Sequence, residues 1–234
     1  MNNSYLDETL GEIVIKQHNA ARIFEKYHLD FCCWGRRKLS VACAENNIAE
    51  TDVLQELQAL NKNAPNHISF DKLSLIELVN HICVYYHHYI KQNGPSLREH
   101  LNRVASKHGD KFPWMIEVSS LFNQLLDELL THIHREEMVL FPRIKALERK
   151  LIDSDALTPN AVQMMETEHE QTARYMQRLH ELTDNFSCPS NACTTFRISM
   201  MEMKEFEEKL YEHVHLENNI LFPKALALSY ALNN

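Results

Sequence analysis

Apolar residues recur at intervals of three and four along most of the chain, which is the spacing of one face of an α-helix. Thr51 is placed to begin one such helix as its N-cap, with Val53, Leu57 and Leu60 on the buried stripe. Further short helices are expected over residues 9–14, 18–27 and 37–45. No segment has the alternation of a strand. The pattern therefore predicts an all-α fold that opens with a small helical domain over residues 1–62.

A polar stretch over residues 61–71 contains turn formers and no periodicity, so it is predicted to be a linker. The second domain is expected over residues 72–234. Ser74 and Thr158 are placed as N-caps of long helices, with Pro159 at a first helical position. A break or a kink is expected near Pro95. Long helices are predicted over residues 74–108, 113–150, 158–182 and 192–222.

One stretch of the chain occurs twice, at residues 132–142 and 213–223, and both copies read H-x-H-x-E-x-x-x-L-F-P. In each copy the first His and the Glu, His132 with Glu136 and His213 with Glu217, are four residues apart and share one helix face. Imidazole nitrogens and carboxylate oxygens suit iron, zinc or manganese. The Leu-Phe-Pro segment predicts an apolar turn and then a kink or helix end. Each copy therefore predicts two inward-facing metal ligands.

A histidine lies upstream of each copy, and it supplies a third ligand to each half. His87 precedes His132, and His169 precedes His213, by about the length of two antiparallel helices. Each half therefore predicts a helical hairpin, and two hairpins make a four-helix bundle. Bundle cores are a known place for two-metal carboxylate sites. A repeat kept only for packing is disfavoured, because burying these His and Glu side chains unpaired costs several kcal/mol.

Neighbouring polar residues are given other roles. His134 and His215 lie two positions after the first histidine of each copy, so both are expected on the outer helix face. Glu137 is expected to be solvated. Glu128, one turn before His132, is a candidate for contacting a ligand or relaying protons, and Glu168 is a weaker candidate.

Cys32 and Cys33 form an adjacent pair in a predicted turn. Chemistry alone leaves two interpretations open, a pair of small buried residues or a pair of functional thiols. The chain has 6 cysteines and no C-x-x-C pair, and an N-terminus without the basic and apolar regions of a signal peptide, so free thiols in the cytoplasm are expected.

Composition narrows the function classes. The formal net charge of -8 and the lack of a basic block argue against nucleic-acid binding, and no apolar run is long enough to predict a membrane span. The 14 histidines and the scarcity of glycine, at 4, fit a helical metal protein.

The two repeated segments, Tyr86-His87 and Glu168-His169 resemble the hemerythrin-like domain of the iron–sulfur cluster repair di-iron proteins. The segment from Tyr27 to Cys33 is similar to the small cysteine-containing domain that precedes the bundle in that family. One departure is Trp34, where the family has a glycine, the residue that best suits a tight turn or a close approach of the backbone. The resemblance implies an oxo-bridged centre of two iron ions, and it implies these ligands: His87, His132, Glu136, His169, His213 and Glu217.

The resemblance also implies a function, the repair in the cytoplasm of iron–sulfur clusters damaged by oxidative or nitrosative stress, through donation of iron. The implied partners are damaged iron–sulfur proteins and nitric oxide or reactive oxygen species, and Cys32 and Cys33 are implied as iron-transfer or redox thiols. Homodimer formation is also considered. The alternatives are an enzyme that reduces nitric oxide and a sensor that binds oxygen or nitric oxide, so enzyme status is left open.

Overall fold

A computed structural model describes residues 4–60, 69–151 and 157–233. This part of the chain contains helices and no β-strand beyond an isolated bridge between Thr9 and Lys38, which confirms the predicted all-α class. None of the described helices is long and apolar enough to cross a membrane. Most of the predicted linker, residues 61–68, lies outside the described residues. The α-helices are α1 (Ser4–Asp7), α2 (Leu10–Lys16), α3 (Ala20–Lys26), α4 (Leu39–Glu45), α5 (Glu50–Ala59), α6 (Leu75–Ile82), α7 (His88–His108), α8 (Trp114–Arg135), α9 (Phe141–Glu148), α10 (Pro159–Thr183), α11 (Thr194–Leu216) and α12 (Phe222–Asn233).

Four long rods form the bundle, and three of them contain a π turn, a five-residue widening of the helix. The π turns join α6 to α7, α8 to α9 and α11 to α12, at Cys83–His87, Glu136–Leu140 and Glu217–Leu221. The fourth rod is α10. Helix α7 packs against α8 and α11, and α8 also packs against α10.

Two predicted caps are confirmed. Ser74 accepts a hydrogen bond from the backbone of Glu77, whose side chain accepts one from the Ser74 backbone in return. Thr158 caps α10, with Pro159 at its first position. The cap predicted at Thr51 is wrong, because α5 already begins at Glu50.

A kink or a helix end was predicted at the prolines, and no helix ends at Pro95, Pro142 or Pro223. Pro95 lies inside α7, which continues to His108. Pro142 and Pro223 each occupy the second position of a helix that starts directly after a π turn. The residue before each proline, Phe141 or Phe222, still donates its backbone N–H five residues back, to the carbonyl of Glu136 or Glu217, so the helix continues across the proline. The short tail predicted after Pro223 is therefore wrong, since α12 runs to Asn233.

The small N-terminal helices pack onto the bundle. Phe24, Phe31 and Leu39 belong to the same cluster of buried side chains as Phe206 and Leu210 of α11. This continuous core seats the loop after α3 against α10 and α11. The division into domains at residues 62 and 72 stays a prediction.

Candidate metal centre

The four predicted histidine ligands meet in two pairs at the middle of the bundle. The Nε2 atoms of His87 and His213 are 3.1 Å apart, and those of His132 and His169 are 3.0 Å apart. Each pair takes one histidine from each half of the chain. All four side chains are buried. The pairing answers a question that the repeat left open, namely which histidines face one position.

The Glu136 carboxylate lies between the two pairs. Its Oε1 is 3.1 Å from the Nε2 of His132, and its Oε2 is 3.4 Å from the Nε2 of His87. One carboxylate thus faces both pairs, which is the position of a bridging ligand.

Glu217 repeats this arrangement from the second copy. Its Oε1 is 3.1 Å from the Nε2 of His213, and its Oε2 is 3.2 Å from the Nε2 of His169. The donor atoms therefore form two groups, each with two imidazole nitrogens and an oxygen from each carboxylate.

The buried carboxylates face only the ligand histidines. Both Glu136 and Glu217 are fully buried, and apart from the contacts of their oxygens with the histidine Nε2 atoms none of the four oxygens has a hydrogen-bond partner among the described residues. Leaving buried oxygens without partners is costly, and a bound cation removes that cost. Histidine nitrogens in each pair have the separation, about 3 Å, expected for neighbouring ligands at about 2.1 Å from one ion. The donor set and its geometry therefore fit two ions such as iron.

Without a metal, the histidines and glutamates of the centre stabilise one another's charged forms. Burial lowers the pKa of His87, but a hydrogen bond with Cys83 and the facing carboxylates outweigh burial and raise this pKa to about 10. Burial also lowers the pKa of His132, but Glu136 and then Glu168 outweigh burial and raise this pKa to about 10. Burial raises the pKa of Glu136, but the two imidazolium groups overcome this and hold it well below its ordinary value. Metal ions thus compete with protons for His87 and His132.

Two carboxylates lie behind the ligands, and one of them corrects a sequence prediction while the other, Glu168, confirms a weaker candidate. Glu137, expected to be solvated, accepts a hydrogen bond of 3.0 Å from Nδ1 of His87 and is itself bonded by Lys91. Glu168 accepts one of 2.6 Å from Nδ1 of His132. Carboxylates in these places fix the imidazole orientation and increase its basicity as a ligand. Glu137 was assigned to solvent because the matching position in the second copy is Asn218.

The second half differs in its outer contacts. His169 donates from Nδ1 to the Asn218 side-chain oxygen at 2.8 Å, and Nδ1 of His213 has no partner among the described residues.

The repeated phenylalanines explain another part of the motif. Phe141 stacks on the His87 ring, with centroids 5.5 Å apart, and Phe222 stacks on the His169 ring at 6.2 Å.

Glu128 does not point into the centre. Its side chain is exposed and accepts a hydrogen bond of 2.8 Å from the Tyr175 hydroxyl on α10. Together with His132 and Glu168 it lines a groove of about 530 Å³ between α8 and α10. The prediction that Glu128 contacts a ligand is wrong, because its carboxylate turns outward to Tyr175.

The two outer-face predictions have opposite outcomes. His134 is exposed as expected, whereas His215 is 3% exposed. His215 packs edge-on against Phe31 and accepts a hydrogen bond of 3.1 Å from Asn219. The prediction for His215 is wrong because the loop after α3, through Phe31, covers that face of α11.

The cysteine pair sits in a turn that Asp30 organises. One Asp30 oxygen accepts hydrogen bonds from the backbone N–H groups of Cys32, at 3.1 Å, and Cys33, at 2.8 Å. The two sulfurs are 3.8 Å apart and form no disulfide. The Cys33 thiol donates to the backbone carbonyl of His169 at 3.4 Å. The turn therefore touches a predicted ligand of the metal centre.

The surroundings of Cys32 and Cys33 favour the protonated thiol over the thiolate. Burial and then the hydrogen bond with Cys33 raise the pKa of Cys32 well above its ordinary value. The bond from Cys32 lowers the pKa of Cys33, but burial and nearby acids raise it more. Trp34 does not strain the turn, because its side chain is 44% exposed and stacks with Arg37.

Two family models match the chain. A hemerythrin HHE cation binding domain matches residues 78–225, and a domain of unknown function, ScdA_N (DUF542), matches residues 6–61. The chain thus contains a cation-binding domain of the hemerythrin type.

Curated relatives match nearly the whole chain. A protein of Escherichia coli O81 (strain ED1a) named iron-sulfur cluster repair protein YtfE is 33% identical over 96% of this chain and 99% of its own length. Proteins of the same name from Escherichia coli O1:K1 / APEC and Escherichia fergusonii are each 32% identical over the same shares.

Proposed function

Because the chain belongs to the family of the YtfE iron–sulfur cluster repair proteins, we propose that it repairs iron–sulfur clusters damaged by oxidative or nitrosative stress. It acts by holding two iron ions and donating iron to the damaged protein. The proposed ligands are His87, His132, Glu136, His169, His213 and Glu217. The clients are iron–sulfur proteins of the cytoplasm.

One observation carries the proposal: the four buried oxygens of Glu136 and Glu217 lie between two histidine pairs and have no other hydrogen-bond partner among the described residues. Such a site is unfavourable when empty and is completed by two cations. Bound iron would supply one-electron redox chemistry and an exchangeable ion. The protein residues supply the rest, because Glu137 and Glu168 orient the imidazoles and the buried walls exclude bulk water.

Iron as cargo needs a receiving group near the centre, and we propose that the cysteine turn serves this role. Cys33 contacts the backbone of His169, and Cys32 lies beside it. Asp30 adds an oxygen donor to the two sulfurs. Because both thiols are protonated at neutral pH, accepting an ion requires loss of their protons to solvent or a neighbouring base.

Iron content and visible absorption of the purified protein give the first test. We expect about two iron ions per chain in the wild type and fewer in His132→Ala and Glu217→Ala. His134→Ala is the matched control, because this exposed histidine belongs to the same motif. Iron that is absent from the wild type, or indifferent to the two ligand substitutions, would contradict the proposed site.

A repair assay tests the use of the iron. Protein loaded with isotopically labelled iron is mixed with an enzyme whose iron–sulfur cluster has been damaged by nitric oxide, and enzyme activity and label transfer are followed. We expect recovery with transfer of the label, and loss of both in a Cys32→Ser/Cys33→Ser variant. Repair without transfer would refute donation, and normal repair by the cysteine variant would refute the role of the turn.

Two other activities are distinguishable in the same samples. Catalytic formation of nitrous oxide from nitric oxide with a reductant would identify a nitric oxide-reducing enzyme. Reversible spectral changes with oxygen or nitric oxide, without loss of iron, would identify a sensor.

A further inference from the structure

Asn218 occupies the same position in the second copy of the motif as Glu137 does in the first. Both residues follow directly after the glutamate of their copy, and both accept a hydrogen bond from Nδ1 of a proposed ligand, His169 or His87. Their chemistry differs, because a carboxylate only accepts whereas an amide also donates. Asn218 therefore also has an amide N–H group that can donate to another residue.

The amide N–H group of Asn218 contacts the cysteine turn. The Asn218 amide nitrogen donates to the backbone carbonyl of Cys32 at 3.2 Å, while its oxygen is held by His169. The side chain is 6% exposed, so water does not replace these partners easily. The Cys33 thiol adds its own bond to the His169 carbonyl. Two separate contacts thus join the turn to His169, one of the four histidines proposed as ligands.

The geometry points to Asn218 as a positioning residue that ties the Cys32–Cys33 turn to His169 and thereby sets how firmly one of the two metal ions is held. The inference rests on the proposed iron site. The affected ion is the one between His132 and His169. The ion between His87 and His213 has no such link to the turn among the described contacts.

The physical reason is the hydrogen bond on the far side of the imidazole. A partner at Nδ1 fixes the ring orientation and increases its strength as a ligand, and loss of such a partner typically costs about 10- to 100-fold in metal affinity. A neutral amide oxygen is a weaker acceptor than a carboxylate. His169 is therefore the ligand whose support depends most on the amide being held in place, and the Cys32 carbonyl holds it.

The test is extraction of iron by a ferrous chelator from the reduced, iron-loaded full-length protein. In Asn218→Ala we expect one of the two ions to leave at least about tenfold faster than in the wild type, with the other unchanged. Mössbauer spectra of the same samples should show a change in one iron signal only. This readout does not depend on repair activity.

Asn219→Ala is the matched control. Asn219 donates to the carbonyls of Phe31 and Cys32, at 3.2 and 3.3 Å, but contacts no proposed ligand. Its loss loosens the same turn and leaves the Asn218 oxygen on His169, so we expect both release rates within about threefold of the wild type.

Asn218→Asp keeps the inference testable if Asn218→Ala does not fold. Its carboxylate still accepts from His169, as Glu137 does from His87, but no longer donates to Cys32. Because the Cys32 carbonyl no longer holds this side chain against His169, we expect the same ion to leave faster than in the wild type. Release of that ion at the wild-type rate would show that an acceptor on His169 is sufficient and would overturn the role of the tie. Equal acceleration of both ions in Asn218→Ala, or equally fast release in Asn219→Ala, overturns the inference. If the wild type holds two ions and every variant releases them at the wild-type rates, this inference alone is refuted. If the wild type holds no iron, the proposed function is refuted as well.

Discussion

Gly35 is the position where the smallest side-chain addition should release the cysteine turn. A Cβ atom there would lie closer than 3.0 Å to the Phe31 carbonyl oxygen and to the side-chain oxygen of Asn219. The Gly35 backbone has little freedom to retreat, because its carbonyl accepts a hydrogen bond of 2.8 Å from Gly11. Gly35→Ala therefore forces either the turn or Asn219 to move.

The cost of that movement follows from what is displaced. Overpacking a close contact costs about 1–3 kcal/mol. Rotating Asn219 away loses its bonds to Phe31, Cys32 and His215, each worth about 1 kcal/mol. We expect Gly35→Ala to lower the free energy of unfolding by about 3–5 kcal/mol, as measured by urea denaturation with and without metal.

Trp34→Ala is the control, since this neighbouring side chain is exposed and its stacking on Arg37 is worth about 1 kcal/mol or less. A second substitution, Asn219→Ala, should recover part of the loss in Gly35→Ala, because it removes one of the two obstacles. If Gly35→Ala unfolds within about 1 kcal/mol of the wild type, the close packing of the turn against Asn219 is refuted.

Two further predictions concern buried charge. Burial, followed by repulsion from Glu208 and Glu207, raises the pKa of Glu25 to about 7, so its ionised form opposes folding increasingly from about pH 4.5 to pH 7. Glu25→Gln should stabilise the protein at pH 8 by about 1–2 kcal/mol, which is less than the pKa shift converted in full to free energy, because solvent screens the carboxyl group. The same substitution should have little effect at pH 4, and chemical denaturation at the two pH values measures both. Burial lowers the pKa of His215 to about 3, so stability from its neutral form is complete above about pH 6.5 and declines as the pH falls towards 3. His215→Ala should cost about 2–4 kcal/mol at pH 7 and flatten that decline, whereas exposed His134→Ala should change stability by less than about 0.5 kcal/mol.

The proposed ligands could be located from the sequence because the information is local and duplicated. His132 and Glu136 share a helix face at a fixed spacing, and the second copy removes most of the ambiguity of a single histidine. The overall bundle followed from the same periodicity together with the caps at Ser74 and Thr158. These features depend on residues within one or two helical turns of one another.

The partners behind the ligands were harder to predict, because they come from different elements in the two halves. His87 is supported by Glu137 on another rod, and His132 by Glu168 on α10. Symmetry between the copies therefore argued against Glu137, which the structure brings to His87. His215 was assigned to solvent for a similar reason, since a helical projection omits the loop after α3 that covers it.

The π turns change how the chain tolerates insertions and deletions. Each π turn carries about one residue more than an α-helical turn, so the helix beyond it resumes with a rotation of about 100°. The apolar stripe of α9 is therefore in a different angular phase from that of α8. Deleting an exposed residue such as Val139 would leave a regular helix, yet it would rotate Phe141 away from the His87 ring. Side chains in these turns can be exchanged freely where they face solvent, while the number of residues is fixed by the bundle on both sides of the centre.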